Sequence, residues 1–186
     1  MFKYIQKKYD FNNYQIAQLK FFFLTLISEL SKVIIISIYF IDQYFPFLWC
    51  LLIFHLMRTT TGGIHCRNYI SCLIISFLYF FLCISVLPNI KINQTTELIL
   101  LFICTYICYK IGPVTSPRHM DLSIKSISNS KKRLIFIIFC YSIIVFIMPQ
   151  YYFISVGFWV IMLDTVQLVI SILRKEVTDY YEKKTR

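Results

Sequence analysis

Uncharged apolar segments recur along this chain at lengths that match the thickness of a lipid bilayer. The longest runs from Leu134 to Leu173, 40 residues with one formal charge, Asp164. As a single helix it would be about 60 Å long, twice the hydrocarbon thickness of about 30 Å. We therefore expect this segment to fold back at Pro149, because proline lacks the amide hydrogen that a helix needs and clashes with the preceding turn.

Four more apolar segments bring the number of predicted spans to six. With 58% hydrophobic and only 15% charged residues, a soluble enzyme is excluded, and the short loops leave no room for a separate extramembrane domain. We predict a single all-α domain over residues 1–186, a polytopic membrane protein with six transmembrane helices. The first four spans are Phe21 to Ile41, Gln43 to Met57, Tyr69 to Leu87, and Leu98 to Tyr109 with an extension from Gln94 to Thr96.

Basic residues are concentrated in alternate loops. Of the 19 lysines and arginines, 17 lie before the first span, between spans two and three, between spans four and five, or after span six. Lysine and arginine collect on the cytoplasmic side of membrane proteins, so both termini are predicted to be cytoplasmic in a multi-pass cell-membrane protein. This placement explains the net charge of +10 through anionic lipid or an acidic peptide, without nucleic acid.

The segment Met1 to Lys20 mixes lysines with apolar residues at rough helical spacing. It is either an amphipathic helix on the inner leaflet or a frayed tail, with Asn12-Asn13 as a break.

The segment from Arg58 to Cys72 combines residue types that support nucleophilic catalysis. Cys72 supplies a thiol, His65 can take its proton, and Gly62-Gly63 lets backbone amides approach a developing oxyanion. His65 and Cys72 would be about 10.5 Å apart along a straight helix. We therefore expect the glycines to end the preceding helix, so that the chain folds back over a helix whose first turn contains Cys72. There the helix N-terminus, Arg58 and Arg67 would stabilise a thiolate.

Two other interpretations of this loop stay open. A loop histidine and a cysteine near a helix start are common in proteins without a catalytic role. His65, Cys66 and Cys72 are also zinc-ligand types, but a closed zinc site needs a fourth ligand, and no spacing supplies one. We predict no metal and no cofactor.

Arg58, Gly63, His65 and Cys72 together resemble the core motif of the accessory gene regulator B (AgrB) family, membrane cysteine endopeptidases of Gram-positive quorum sensing. In that family an Arg and a Gly precede a His, and a Cys follows the His by seven positions. The stretch from Gly112 to Arg118 looks like the family's proline-bearing basic loop. Length, six spans and the N-terminal amphipathic segment also agree. Cys66 is an extra thiol that departs from the family spacing.

The resemblance implies that His65 is the general base and Cys72 the nucleophile on a short amphipathic, AgrD-like pro-peptide. Cleavage near the C-terminus of the pro-peptide would give an acyl-enzyme thioester. An internal Cys or Ser of the pro-peptide would then release a cyclic thiolactone or lactone. Arg58, Gly62, Gly63, Arg67 and Arg118 would support the site or bind substrate, and the basic cytoplasmic face would suit an acidic tail. Whether the chain forms a homodimer stays open.

The rival hypotheses are a small transporter or export channel and a membrane scaffold without chemistry. In a transporter, four polar side chains within the spans would form the path: Glu29, Lys32, His55 and Asp164. We expect instead that Glu29 pairs with Lys32 across one helical turn. Asp164 is expected to find Lys32, an arginine or a hydroxyl inside the bundle.

Overall fold

The computed structural model describes residues 12–61, 68–113, 124–148 and 151–184, without the side chains of Asn13, residues 124–126 and residues 174–184. Within these ranges the chain is helical and contains no strand, which confirms the all-α prediction. Six long α-helices are present: α1 (Asn13–Tyr39), α2 (Tyr44–Thr61), α3 (Tyr69–Phe81), α4 (Gln94–Ile111), α5 (Ile124–Ile147) and α6 (Tyr152–Lys184).

Four helices are long and apolar enough to cross a membrane by length and composition. They are Tyr14–Tyr39 in α1, Tyr69–Asn89 in α3 and its continuation, Gln94–Ile111 in α4 and Tyr152–Leu173 in α6. α2 and α5 do not meet this criterion, because each contains a polar segment. The last turns of α2 contain His55, Arg58 and three threonines, and α5 carries three consecutive basic residues before its apolar part.

Two helices begin earlier than the apolar pattern predicts. α1 begins at Asn13 instead of Phe21, after an N-cap at Asn12 whose amide donates to Gln15 Oε1 at 3.0 Å. α5 begins at Ile124 instead of Leu134. A helix satisfies its own backbone groups in water as well as in lipid, so it need not end where the apolar residues end. Residues 1–11 of the predicted amphipathic segment lie outside the described residues.

The expected break in the long apolar segment is confirmed. α5 ends at Ile147 and α6 begins at Tyr152, so the reversal falls around Pro149, which itself lies outside the described residues. The predicted extension of the fourth span is also confirmed, because α4 begins at Gln94. The Gln94 side chain donates to the carbonyl of Phe146 at 3.1 Å and so joins the start of α4 to the last turn of α5.

Contacts between helices fix their directions. α1, α3 and α5 run one way, and α2, α4 and α6 run the other. The pairs that establish this order are Ser31–Tyr69 and Tyr39–Phe77 (α1 with α3), Tyr79–Val160 and Ile84–Tyr152 (α3 against α6), Cys104–Met162 and Cys108–Thr165 (α4 with α6), Gln94–Phe146 and Tyr109–Lys131 (α4 against α5), and Phe45–Phe153 and Trp49–Gly157 (α2 with α6).

The buried core lies among α2 to α6, and Ile36 of α1 packs against it. Phe47, Met57, Ile138 and Phe158 are almost completely inaccessible there. α1 lies at the edge and contacts α3, and most of its apolar side chains face outward, with Phe21 73% exposed. An apolar face of this kind is what a lipid-facing helix presents.

The end of α3 is irregular because of Pro88. A π-turn over Leu82–Val86 leads into a 3-10 turn over Leu87–Asn89. Proline cannot donate to the carbonyl four residues before it, which is that of Ile84. The Tyr152 hydroxyl donates to the Ile84 carbonyl instead. The break in α3 thereby becomes a connection to α6.

α1 and α3 are displaced along their common direction. The first residue of α3, Tyr69, meets Ser31 in the second half of α1. Residues 13–30 of α1 therefore extend beyond the start of α3, over about 27 Å at the rise of an α-helix.

Gly157 is the point of closest approach between α6 and its neighbours. A Cβ atom at this position would lie 2.6 Å from Tyr141 Oη, and 2.9 Å from both Trp49 Nε1 and Tyr141 Cε2. Tyr141 is itself fixed, since it is buried and its hydroxyl donates to the Ile154 carbonyl.

We expect Gly157→Ala to lower the free energy of unfolding by about 1–3 kcal/mol, because overpacking a closed core outweighs the gain of about 1 kcal/mol in helix propensity. The measurement is a denaturant titration of the purified chain in micelles. Val166→Ala, at a position 48% exposed on the same helix, is the control and should change stability less. A Gly157→Ala variant as stable as the parent would contradict the packing argument.

Candidate functional site

The loop that carries the sequence motif is described at its two ends. Arg58 lies in the last turn of α2, and Cys72 lies at the start of α3. Gly62, Gly63, His65, Cys66 and Arg67 lie outside the described residues, as does Arg118. The geometry of the site is therefore established for the cysteine and for the helices that surround it.

Cys72 occupies the first turn of α3, as predicted. Asn68 is the N-cap, with an extended backbone, and the helix begins at Tyr69. The amide of Cys72 donates to the Asn68 carbonyl at 3.1 Å, which is the first hydrogen bond of the helix. The side chain is half-buried. A thiol in this position lies near the unpaired amides of the first turn, whose partial positive charge favours an anion.

A lysine from another helix contacts this thiol. Lys32 Nζ lies 3.3 Å from Cys72 Sγ, within the range of a hydrogen bond to sulfur, and donates to Glu29 Oε1 at 2.7 Å. The predicted Glu29–Lys32 pair is confirmed. The contact with Cys72 places a positive charge beside the sulfur, and it is a feature that the sequence analysis did not predict.

Tyr69, in the first turn of α3, contacts both Lys32 and Ser31 of α1. The Lys32 ammonium lies over the Tyr69 ring, 5.6 Å from the ring centroid, in the range of a cation–π contact. The Tyr69 hydroxyl and Ser31 Oγ are 2.8 Å apart and share a hydrogen bond. Two consecutive residues of α1 thus contact the first turn of α3, which holds the thiol against α1.

Arg58 is half-buried in the last turn of α2. Its guanidinium lies 5.1 Å from the centre of the Phe54 ring. Asp164 is buried, next to Tyr79, whose hydroxyl donates to the Val160 carbonyl at 3.1 Å. Among the described residues, Asp164 Oδ2 has no hydrogen-bond partner. Of the neighbours expected for Asp164, the Tyr79 hydroxyl lies beside it, while Lys32 pairs with Glu29.

The four side chains of the transporter hypothesis do not form one path in the described part of the chain. Lys32 and Glu29 lie between α1 and α3, Asp164 lies in the core beside Tyr79, and His55 is exposed on α2. No hydrogen bond or ion pair between these residues joins the three locations. This geometry does not favour transport.

The basic loop after α4 begins with a glycine-dependent turn. Gly112 ends α4 with φ of +74°, a conformation that favours glycine, and its amide donates to the Cys108 carbonyl at 2.8 Å. Near the start of α5, Lys131 lies over the Tyr109 ring, 5.6 Å from its centre. Because α5 runs in the same direction as α3, these basic residues lie toward the end of the bundle at which α3 begins.

Comparisons with known proteins agree with the family resemblance that the motif indicates. The sequence model of the accessory gene regulator B family matches residues 1–169 of this chain. A putative AgrB-like protein of Clostridium beijerinckii is 44% identical over 57 residues. The aligned part makes up 30% of this chain and 29% of that relative, so it spans less than a third of either protein. No solved structure matches the chain.

We expect iodoacetamide to modify Cys72 at least about a hundredfold faster than Cys83 in the folded chain, because a buried thiol reacts only after local opening. Both cysteines lie on the chain from Tyr69 to Asn89, and Cys83 is 0% exposed. Mass spectrometry of the fragment that contains both residues gives the two rates from one sample. Equal rates under native conditions would contradict the described burial.

Proposed function

This chain belongs to the accessory gene regulator B family, and from that membership we propose that it is a membrane-embedded cysteine endopeptidase. Its substrate is a short, amphipathic quorum-sensing pro-peptide of the AgrD-like class. It cleaves the C-terminal part of that peptide through an acyl-enzyme thioester, which allows cyclisation to a thiolactone or lactone. Cys72 is the nucleophile and His65 the general base.

The observation that carries the proposal is the contact between Cys72 and Lys32. Among the described residues, Cys72 combines partial exposure, a position in the first turn of a helix and a cation 3.3 Å from its sulfur. Four other described cysteines, Cys50, Cys83, Cys104 and Cys108, are buried in the core. Reactive cysteines lie in partly exposed, electropositive surroundings, whereas buried structural ones are inert.

The proposed reaction has two steps. His65 takes the thiol proton, the sulfur attacks the scissile carbonyl carbon, and the peptide C–N bond breaks as the amine receives that proton. An internal Cys or Ser of the pro-peptide then gives its proton to His65 and attacks the thioester carbonyl, the S–C bond to Cys72 breaks, and the ring is released. Exchange of a thioester for a thiolactone is nearly energy-neutral, so the site must exclude water, which would otherwise hydrolyse the intermediate.

The proposed topology is six crossings with both termini in the cytoplasm of a bacterium, in keeping with the Gram-positive setting of the family. The alternating directions of α1 to α6 support it, since successive helices of a six-span bundle must alternate. The basic residues at the start of α5 support the cytoplasmic assignment of that end. α2 and α5 cross with the help of their neighbours, because their polar ends lie at the bundle ends.

With a purified pro-peptide, we expect Cys72→Ala to abolish cleavage and Cys66→Ala to retain most of it. The physical reason is that no other group can form the thioester once the nucleophile is removed. Cleavage is followed by gel shift and mass spectrometry after co-expression, and the parent chain should also yield a covalent adduct of the expected mass. Cleavage that persists in Cys72→Ala would overturn the assignment, and loss only in Cys66→Ala would move the nucleophile to Cys66.

We expect a pro-peptide whose acidic tail residues are replaced by Gln and Asn to be cleaved at least about tenfold less efficiently at low substrate concentration. Its tail would no longer be attracted to the basic end of the bundle. The difference should shrink as salt rises, because salt screens exposed charges. Equal cleavage of both peptides at low salt would remove the role of the basic face.

A further inference from the structure

Lys32 is buried more deeply than an ion pair with Glu29 requires. The Lys32 side chain is 6% exposed, whereas that of Glu29 is 57% exposed, and the two are one helical turn apart. Such a pair can form entirely on the outer surface of a helix. A charge inside a helix that is apolar enough to span a membrane is costly. The inward position of the ammonium therefore reflects its other contacts, Cys72 and Tyr69.

We propose that Lys32 is a catalytic residue, whose ammonium contacts the sulfur of Cys72 and stabilises it as a thiolate. This inference rests on the proposed peptidase function, and it adds a residue from α1 to a site that the motif locates between α2 and α3.

Three neighbours surround the ammonium. Its nitrogen lies 2.7 Å from Glu29 Oε1 and 3.3 Å from Cys72 Sγ, and the centroid of the Tyr69 ring is 5.6 Å away. The Glu29 carboxylate and the half-buried Cys72 sulfur contact the same ammonium, and the sulfur lies 3.3 Å from its nitrogen. At that distance the attraction between an ammonium and a thiolate is strong in a poorly hydrated site.

The same ammonium serves both chemical steps. In the first, the thiol proton leaves to His65, and the thiolate beside Lys32 forms the S–C bond as the C–N bond breaks. In the second, the attacking thiol or hydroxyl of the pro-peptide gives its proton to His65 and forms its bond to the carbonyl carbon, the Cys72 S–C bond breaks, and the sulfur departs as a thiolate. Between the steps the sulfur is neutral, and Glu29 remains as the counter-ion, so the ammonium is never left without an anion.

The test compares the rate at which iodoacetamide, an uncharged reagent, modifies Cys72 at neutral pH in the full chain in detergent. Lys32→Met removes the charge and keeps the length of the side chain, and should slow modification at least about tenfold. Lys32→Arg keeps the charge and should stay within roughly threefold of the parent chain. Lys20→Met is the matched control: it removes an exposed lysine about 18 Å earlier on the same helix and should leave the rate unchanged.

If Cys72 in Lys32→Met is modified as fast as in the parent chain, the proposal is overturned. It is also overturned if Lys32→Met and Lys32→Arg slow modification equally, because the cause would then be the shape of the side chain and not its charge. Cys83, on the same fragment, reports on folding, because it reacts only if the bundle opens. If Lys32→Met opens the bundle, Lys32→Gln, which keeps a hydrogen-bond donor without charge, takes its place. A parental rate in Lys32→Gln overturns the proposal, and a tenfold loss supports it.

Failure of the proposed function gives a different pattern. Modification of Cys72 needs no pro-peptide, so the lysine series can be measured whatever the substrate is. Cleavage that persists in Cys72→Ala removes the peptidase assignment without changing the lysine series. Loss of cleavage in Lys32→Met with a parental modification rate keeps the peptidase and removes the thiolate role of Lys32.

Discussion

Backbone polar groups must find partners within the chain wherever water is excluded, and this constraint shapes the bundle. It makes every described element a helix. It also explains the contacts at the places where a helix is interrupted. Pro88 leaves the Ile84 carbonyl without its usual donor, and Tyr152 supplies one; the last turn of α5 leaves the Phe146 carbonyl exposed, and Gln94 reaches it. Each interruption is thereby converted into a contact between two helices.

A buried side-chain charge also needs a partner within the protein. Lys32 cannot remain buried without an anion, and Glu29 and Cys72 both offer one. A thiol is an unusual partner, because it carries charge only when ionised. The free-energy cost of burying the ammonium is therefore lower when the sulfur is a thiolate, so burial of Lys32 and ionisation of Cys72 favour each other.

The sequence predicted much of the helical order and part of the site. The reversal near Pro149, the start of α4 at Gln94, the Glu29–Lys32 pair and the place of Cys72 in a first helical turn all follow from local rules of spacing and capping. The Lys32–Cys72 contact did not follow. In a soluble protein, the apolar stripe of a helix indicates which face is buried. α1 is apolar on all sides, so the spacing of its apolar residues does not indicate which face contacts α3. The starts of α1 and α5 were predicted too late along the chain. The length of an apolar segment reflects the thickness of the bilayer, whereas a helix can continue beyond the apolar residues.

The displacement between α1 and α3 limits how both helices can sit in one bilayer. With Ser31 level with Tyr69, the apolar ranges Tyr14–Tyr39 and Tyr69–Asn89 together extend over about 55 Å, nearly twice the hydrocarbon thickness of about 30 Å. A flat bilayer therefore cannot cover both apolar ranges along their whole length.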